Sequence, residues 1–278
     1  MIGAFVFMLK GQGINLLLNL FFGPAINAAP GLTYQISGAI GGFSSNITLA
    51  FRPQIVSSFA ASDVERTRHL MFSESRICFG LIALLITPVI IEMEYILHLW
   101  LGDTVPAHTA SFTTLVLIDT LICTLNAPCT QVVFAVGKIR RYQIWTTLVN
   151  LFLLPVCWIL LKAGCVSESV FLVTIIFSCI MQPLCLVLVR QVFPFSWKDY
   201  WKEVLLPCLA IALLIPLMPI AVRVLMKASF WRLVLVCATT LATALPLLYF
   251  FILDGHGRLV VRDFLRQKLD SFRTPRMK

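Results

Sequence analysis

Lys10, Arg52 and Asp119 stand inside or at the ends of long apolar runs, where a charge is expensive and normally faces a cavity or a partner. Fixed cations at such positions attract phosphate or pyrophosphate through charge-assisted hydrogen bonds. A carboxyl there either balances one of those cations or titrates as a proton site. Around them, the stretch from Gly11 to Pro53 mixes Gln12, Asn15, Asn19, Asn27, Gln35, Ser37, Ser44, Ser45, Asn46 and Thr48 into Leu, Ile, Phe and Gly. Each of these polar groups needs a hydrogen-bond partner or water at membrane depth. The expectation is a polar-lined path with Lys10, Gln12, Asn15, Asn19, Asn27, Gln35, Asn46, Arg52 and Asp119 as its candidate lining. The plainer alternative has Lys10 and Arg52 snorkelling to the interface, Asn and Ser bonding to neighbouring helices, and glycines allowing close packing.

Catalytic constellations are absent from the sequence. It has no Gly-rich phosphate loop followed by Lys-Ser/Thr, no HExxH and no convincing Ser/His/Asp or Cys/His set. The nine cysteines form no CxxC or Cys/His cluster and read as small core hydrophobes, and the four histidines are scattered. Neither an enzyme, a cofactor nor a metal is expected.

The elements that must position these residues are membrane helices. With 59% hydrophobic and 13% charged residues and a mean hydropathy of +0.91, the chain lies outside soluble composition. The reading is an all-α polytopic membrane protein with about eight transmembrane helices, since about 20 apolar residues make a span. The segments are approximately 4–22, 32–60, 77–99, 110–136, 143–163, 169–190, 203–222 and 233–253. The net charge of +9 is concentrated in short connectors and the tail, which points to topology and anionic headgroups instead of nucleic acid. Arg66, Arg68 and Arg76, then Lys138, Arg140 and Arg141, then Arg190, Lys198 and Lys202, together with the basic tail, put both termini in the cytoplasm. Arg223, Lys227 and Arg232 disagree, because they flank a turn assigned to the outer side. Trp197, Tyr200 and Trp201, alternating with Lys198 and Lys202, are expected at headgroup level. Residues 255–278 are expected to form a basic amphipathic cytoplasmic tail meeting membrane lipids, with an ordinary solvated tail as the alternative.

The runs GQGINLLLNLFFGPAINAAPGLTYQI, NITLAFRPQIVSSFAASD, EYILHLWLG and AVGKIRRYQ resemble the second half of bacterial polysaccharide-export proteins. These are the lipid-linked oligosaccharide (O-antigen type) flippases of the multidrug/oligosaccharidyl-lipid/polysaccharide exporter superfamily. The resemblance implies a six-helix lobe over residues 2–192, an additional helix pair over 193–254, and a first lobe that is missing or supplied by a partner chain. It also implies export of an undecaprenyl-pyrophosphate-linked glycan across the bacterial inner membrane for surface polysaccharide (lipopolysaccharide) biosynthesis, with Lys10 or Arg52 attracting the pyrophosphate. The family pattern NAARG reads Asn27-Ala28-Ala29-Pro30-Gly31 here, so a cation usual at that place is lost. Two other readings stand beside it. One is an ion-coupled small-molecule or multidrug exporter of the same superfamily; the other is a non-transporting fragment.

Overall fold

The computed structural model describes residues 2–253 and 262, with the side chains of residues 2–9, 25 and 27 left aside. All regular structure in the described residues is helical. Helix α1 (Ile2–Phe22) ends at Gly23, whose φ of 79° places it in the left-handed region that favours glycine, and a 3-10 turn (Pro24–Asn27) leads into α2 (Ala28–Ala60). After a tight turn comes α3 (Val64–Ile91). Its start is fixed by Asp63, whose Oδ1 accepts the Arg66 backbone N–H at 3.0 Å, with Glu65 favourably placed in the first turn. A short helix, α4 (Met93–Leu101), continues from α3.

The chain then returns through α5 (Thr109–Cys123) and α6 (Ala127–Val136), broken around Thr124–Asn126 where Pro128 opens the second piece. Two long helices follow, α7 (Ile139–Lys162) and α8 (Ser169–Arg190). The last part comprises α9 (Trp197–Tyr200), a π-helical segment (Trp201–Leu205), α10 (Leu206–Leu214), α11 (Leu217–Leu225) and α12 (Phe230–Leu247), ending in a second π-helical segment (Leu248–Ile252). Among the described residues, six stretches are long and apolar enough to cross a membrane: Val64–Ile91, Thr109–Val136, Ile139–Lys162, Ser169–Arg190, Trp197–Leu225 and Phe230–Ile252. This is a multi-pass membrane protein by helix length and composition. Helix α2, at 33 residues, is long enough but dilutes its apolar residues with Gly, Ser, Asn and Gln.

Helix α3 is a central rod, packed against α2, α5, α6, α10 and α12. One core joins Met71 and Phe72 of α3 to Cys129 and Val132 of α6, to Cys185 and Val189 of α8, and to Tyr200, Cys208 and Ile211. A second core, with Ile14, Leu18, Phe112, Leu153 and Phe171, joins α1 to α5, α7 and α8. Two expectations change here. The third helix begins at Val64 instead of near 77, because hydropathy discounts the charged first turns that Asp63 caps. Tyr200 is fully buried, accepting a hydrogen bond from Gln182 Nε2 at 2.7 Å, so only Trp201 of the aromatic trio stands widely exposed. The proposed tail, Arg262 aside, lies outside the described residues.

Candidate functional site

Helices α1, α2, α5 and α8 enclose a cavity of ≈ 680 Å³ lined by Lys10, Gln12, Asn15, Tyr34, Ser37, Asp119, Thr120 and Thr174, with Ile14, Val116 and Phe171 as its apolar wall. Its size is ordinary for a small-molecule site, about 300–1,000 Å³. Four of the nine residues expected from the sequence therefore meet here: Lys10, Gln12, Asn15 and Asp119. The placement follows from local structure. Gly11 and Gly13 precede and follow Gln12 on α1, and Gly13 approaches α7 so closely that a Cβ would fall 2.6 Å from Leu154 Cδ1. That contact pins α1 and leaves the Lys10 and Asn15 side to the cavity.

Ser178 Oγ of α8 donates to Asp119 Oδ1 at 2.5 Å, and Cys123 Sγ lies 3.5 Å from the same hydroxyl. Asn15 Oδ1 is buried without a hydrogen-bond partner. An orphan buried acceptor costs about 1–3 kcal/mol, so Asn15 gains if its side chain turns to meet a donor in the cavity it lines. A second groove of ≈ 450 Å³, formed by Gln12, Asn15, Leu16, Asn19 and Gly31, lies on the outer side of α1 and α2 and shares Gln12 and Asn15 with the first. The arrangement can hold a polar ligand by one cation, one carboxylate and several amide and hydroxyl groups, beside an apolar wall.

The remaining expected residues are not brought into this cavity. Asn19 lines the outer groove, whereas Gln35, Asn46 and Arg52 are exposed along α2; the Asn27 side chain lies outside the described residues. Gln35, Gly38, Gly42, Ser45, Asn46 and Leu49 form one exposed stripe at helical spacing. Among the described residues, added Cβ atoms at Gly38, Gly41 and Gly42 would meet nothing within 4 Å, so these glycines do not serve close packing there. Sequence reasoning missed Tyr34, Thr174 and Ser178. Their only sequence signal was a hydroxyl in an apolar run, which hydrogen bonding within a helix explains equally well.

Compared with models of known protein families, with curated proteins and with solved structures, the chain matches none.

Proposed function

We propose that this chain moves lipid-linked oligosaccharide across a bacterial cytoplasmic membrane, working as one lobe of a two-lobed flippase whose other lobe is a separate or preceding segment. The reading takes eight helical rods as spans, with α1 to α8 as the lobe, the two last rods as an added pair, and both termini in the cytoplasm. The observation that carries it is the convergence of Lys10, Gln12, Asn15 and Asp119 on one cavity. A pyrophosphate would meet the Lys10 ammonium, glycan hydroxyls would meet the amides and Asp119, and the lipid chain would remain in the bilayer. The exposed polar stripe of α2 supports the reading further, because such a face is costly against hydrocarbon and suits a shared hydrophilic interior.

The test is export of labelled glycan in cells lacking their own flippase, with the chain supplied together with its complementary lobe and its membrane abundance measured in parallel. Lys10→Ala is expected to reduce export about tenfold or more, matching a charge-assisted hydrogen bond of about 1.5–3 kcal/mol, while Lys10→Arg retains more. Unchanged export at equal abundance removes Lys10 from the site. The second reading, an ion-coupled exporter of small cationic molecules, is favoured by one observation: the Asp119 carboxyl faces the same cavity.

A further inference from the structure

On the other half of the molecule, away from the cavity, Glu74 of α3 is fully buried between α2 and α6. It lies about 15 Å along α3 from the helix start at 1.5 Å per residue, too deep for its short side chain to reach either end. Its Oε1 accepts from Gln131 Nε2 of α6 at 2.6 Å, and the same amide nitrogen donates to the Thr48 carbonyl of α2 at 3.0 Å. The opposite edges of both side chains are bare. Glu74 Oε2 and Gln131 Oε1 are each buried with no hydrogen-bond partner.

No Lys, Arg or His among the described residues makes an ion pair with Glu74. The titratable groups facing it are thiols, Cys78 from α3 and Cys129 from α6, and α2 brings only the Thr48 and Ser44 hydroxyls to this cluster. Arg76, two residues on along the same helix, points elsewhere and donates to Ser73 Oγ at 3.2 Å. A buried carboxylate with one amide donor, the Thr48 hydroxyl beside it and no cation leaves its charge uncompensated, a situation that proteins avoid by binding a cation or by neutralising the group.

We infer that Glu74 and Gln131 form a proton-binding site, in which a proton taken from solvent is bonded to Glu74 Oε2 and shared with Gln131 Oε1. Together with the observed Gln131 Nε2 donation to Oε1, this makes a two-bond acid–amide pair that satisfies both orphan oxygens at once. A metal cation fits less well, since Ca2+ or Mg2+ needs about six or more oxygen ligands, and no group of three or more His, Cys, Asp or Glu side chains able to hold a metal occurs among the described residues. The protonated pair ties α3 to α6 and, through Thr48, to α2. Losing the proton puts a charge among apolar side chains, so release is coupled to separation of these helices and entry of water.

The test is infrared difference spectroscopy of the full chain in lipid vesicles, taking wild type minus Glu74→Gln through a pH titration in choline and in sodium salts. A carboxylic-acid carbonyl band at neutral pH, lost on alkalinisation as carboxylate bands rise, is the expected result in both salts. Gln131→Leu should shift that band to the position of an acid without an amide partner. Carboxylate bands alone at neutral pH overturn the inference, as does a signal that appears only with sodium, which marks a metal-ion site. An acid band unmoved by Gln131→Leu overturns the pairing. If Glu74→Gln does not fold, Glu74→Asp, which displaces the same band, replaces it as the reference.

Discussion

Arg232 Nη2 donates to Glu92 Oε2 at 2.6 Å, joining the first turn of α12 to the junction of α3 and α4, and the Glu92 side chain is wholly buried. Arg232 also donates from Nη1 to the Met226 carbonyl at 3.2 Å, and its backbone N–H caps onto Ser229 Oγ. This pair bears on the one connector whose basic residues ran against the topology expectation. Arg232 is neutralised by a buried partner within the fold, so it does not act as a free positive charge in the connector. Breaking the pair from one side leaves a buried charge unmatched, which costs about 3–5 kcal/mol. Glu92→Gln and Arg232→Met should each lower the unfolding temperature of the purified protein markedly, and the double variant should recover much of the loss. Additive losses in the double variant would show that the two side chains contribute independently.

A second tie at the same end of the molecule responds to pH. His108 Nδ1 lies 2.6 Å from Glu168 Oε1, linking the loop before α5 to the loop before α8, and Ser111 and Ser167 donate to the same carboxylate. Burial pushes the Glu168 carboxyl up, but the hydrogen bonds from His108, the backbone and the two serines outweigh it and hold the group below its ordinary range. A depressed folded-state value means that the stabilisation is complete above the unfolded-state value and is lost as pH falls through the folded one. The pair is partly exposed, so the effect is on the order of 0.5–1 kcal/mol after screening. Melting temperature should therefore fall on acidification below the usual carboxylate range in wild type, and Glu168→Gln should flatten that part of the profile.

The glycines divide into two groups that substitution can tell apart. Gly80 of α3 faces the π-helical end of the chain, where an added Cβ would overlap Ile252 Cδ1 and lie 2.6 Å from Leu248 Cδ2. Gly80→Ala should cost about 1–3 kcal/mol by overpacking, relieved when Ile252 is shortened to Val. Gly38→Ala and Gly42→Ala meet open space on a regular helix, so each should stabilise the isolated chain by about 0.4–1 kcal/mol through the unfolded state. Destabilisation by the second pair, measured on the chain alone in detergent, would mean that the α2 stripe is already covered, as in a dimer.

How far these features could be read from the sequence depended on whether a residue contradicted its surroundings. Lys10, Gln12, Asn15 and Asp119 stood out because polar groups in apolar runs demand a partner, and they do meet in one cavity. Glu74 escaped notice because Arg66, Arg68 and Arg76 made its neighbourhood look like a connector, whereas the structure has Asp63 capping a helix that runs through it. Tyr200 was misplaced for a related reason: aromatic and basic residues in alternation look interfacial whichever ring turns inward. Helical stretches themselves were legible from hydropathy. Their pairing was not, since the contact of Arg232 with the buried Glu92, 140 residues away in the chain, leaves no local pattern.

Asp119 separates the two transport readings. Among the described residues its hydrogen-bond donor is Ser178, and the carboxyl faces the same cavity as Lys10. If Asp119 serves to balance Lys10 and orient glycan hydroxyls, Asp119→Asn keeps a hydrogen-bonding group of the same shape, and export should fall modestly with its pH dependence intact. If it carries the coupling proton of an ion-driven exporter, the same variant cannot titrate, and the pH dependence should vanish along with accumulation against a gradient. Ser178→Ala refines the comparison by removing one bond to a charged acceptor, about 1.5–3 kcal/mol, without changing charge in the cavity. On the glycan reading, the Ser178→Ala effect on export should resemble that of Asp119→Asn and be non-additive with it, because both loosen one carboxylate. On the coupling reading, Ser178→Ala should displace the pH profile along its axis while Asp119→Asn abolishes it. Export of labelled glycan across a series of external pH values, with membrane abundance held equal, distinguishes these outcomes. A profile that survives Asp119→Asn and shifts only in Glu74→Gln would place the proton dependence at the α2–α3–α6 junction instead of the cavity.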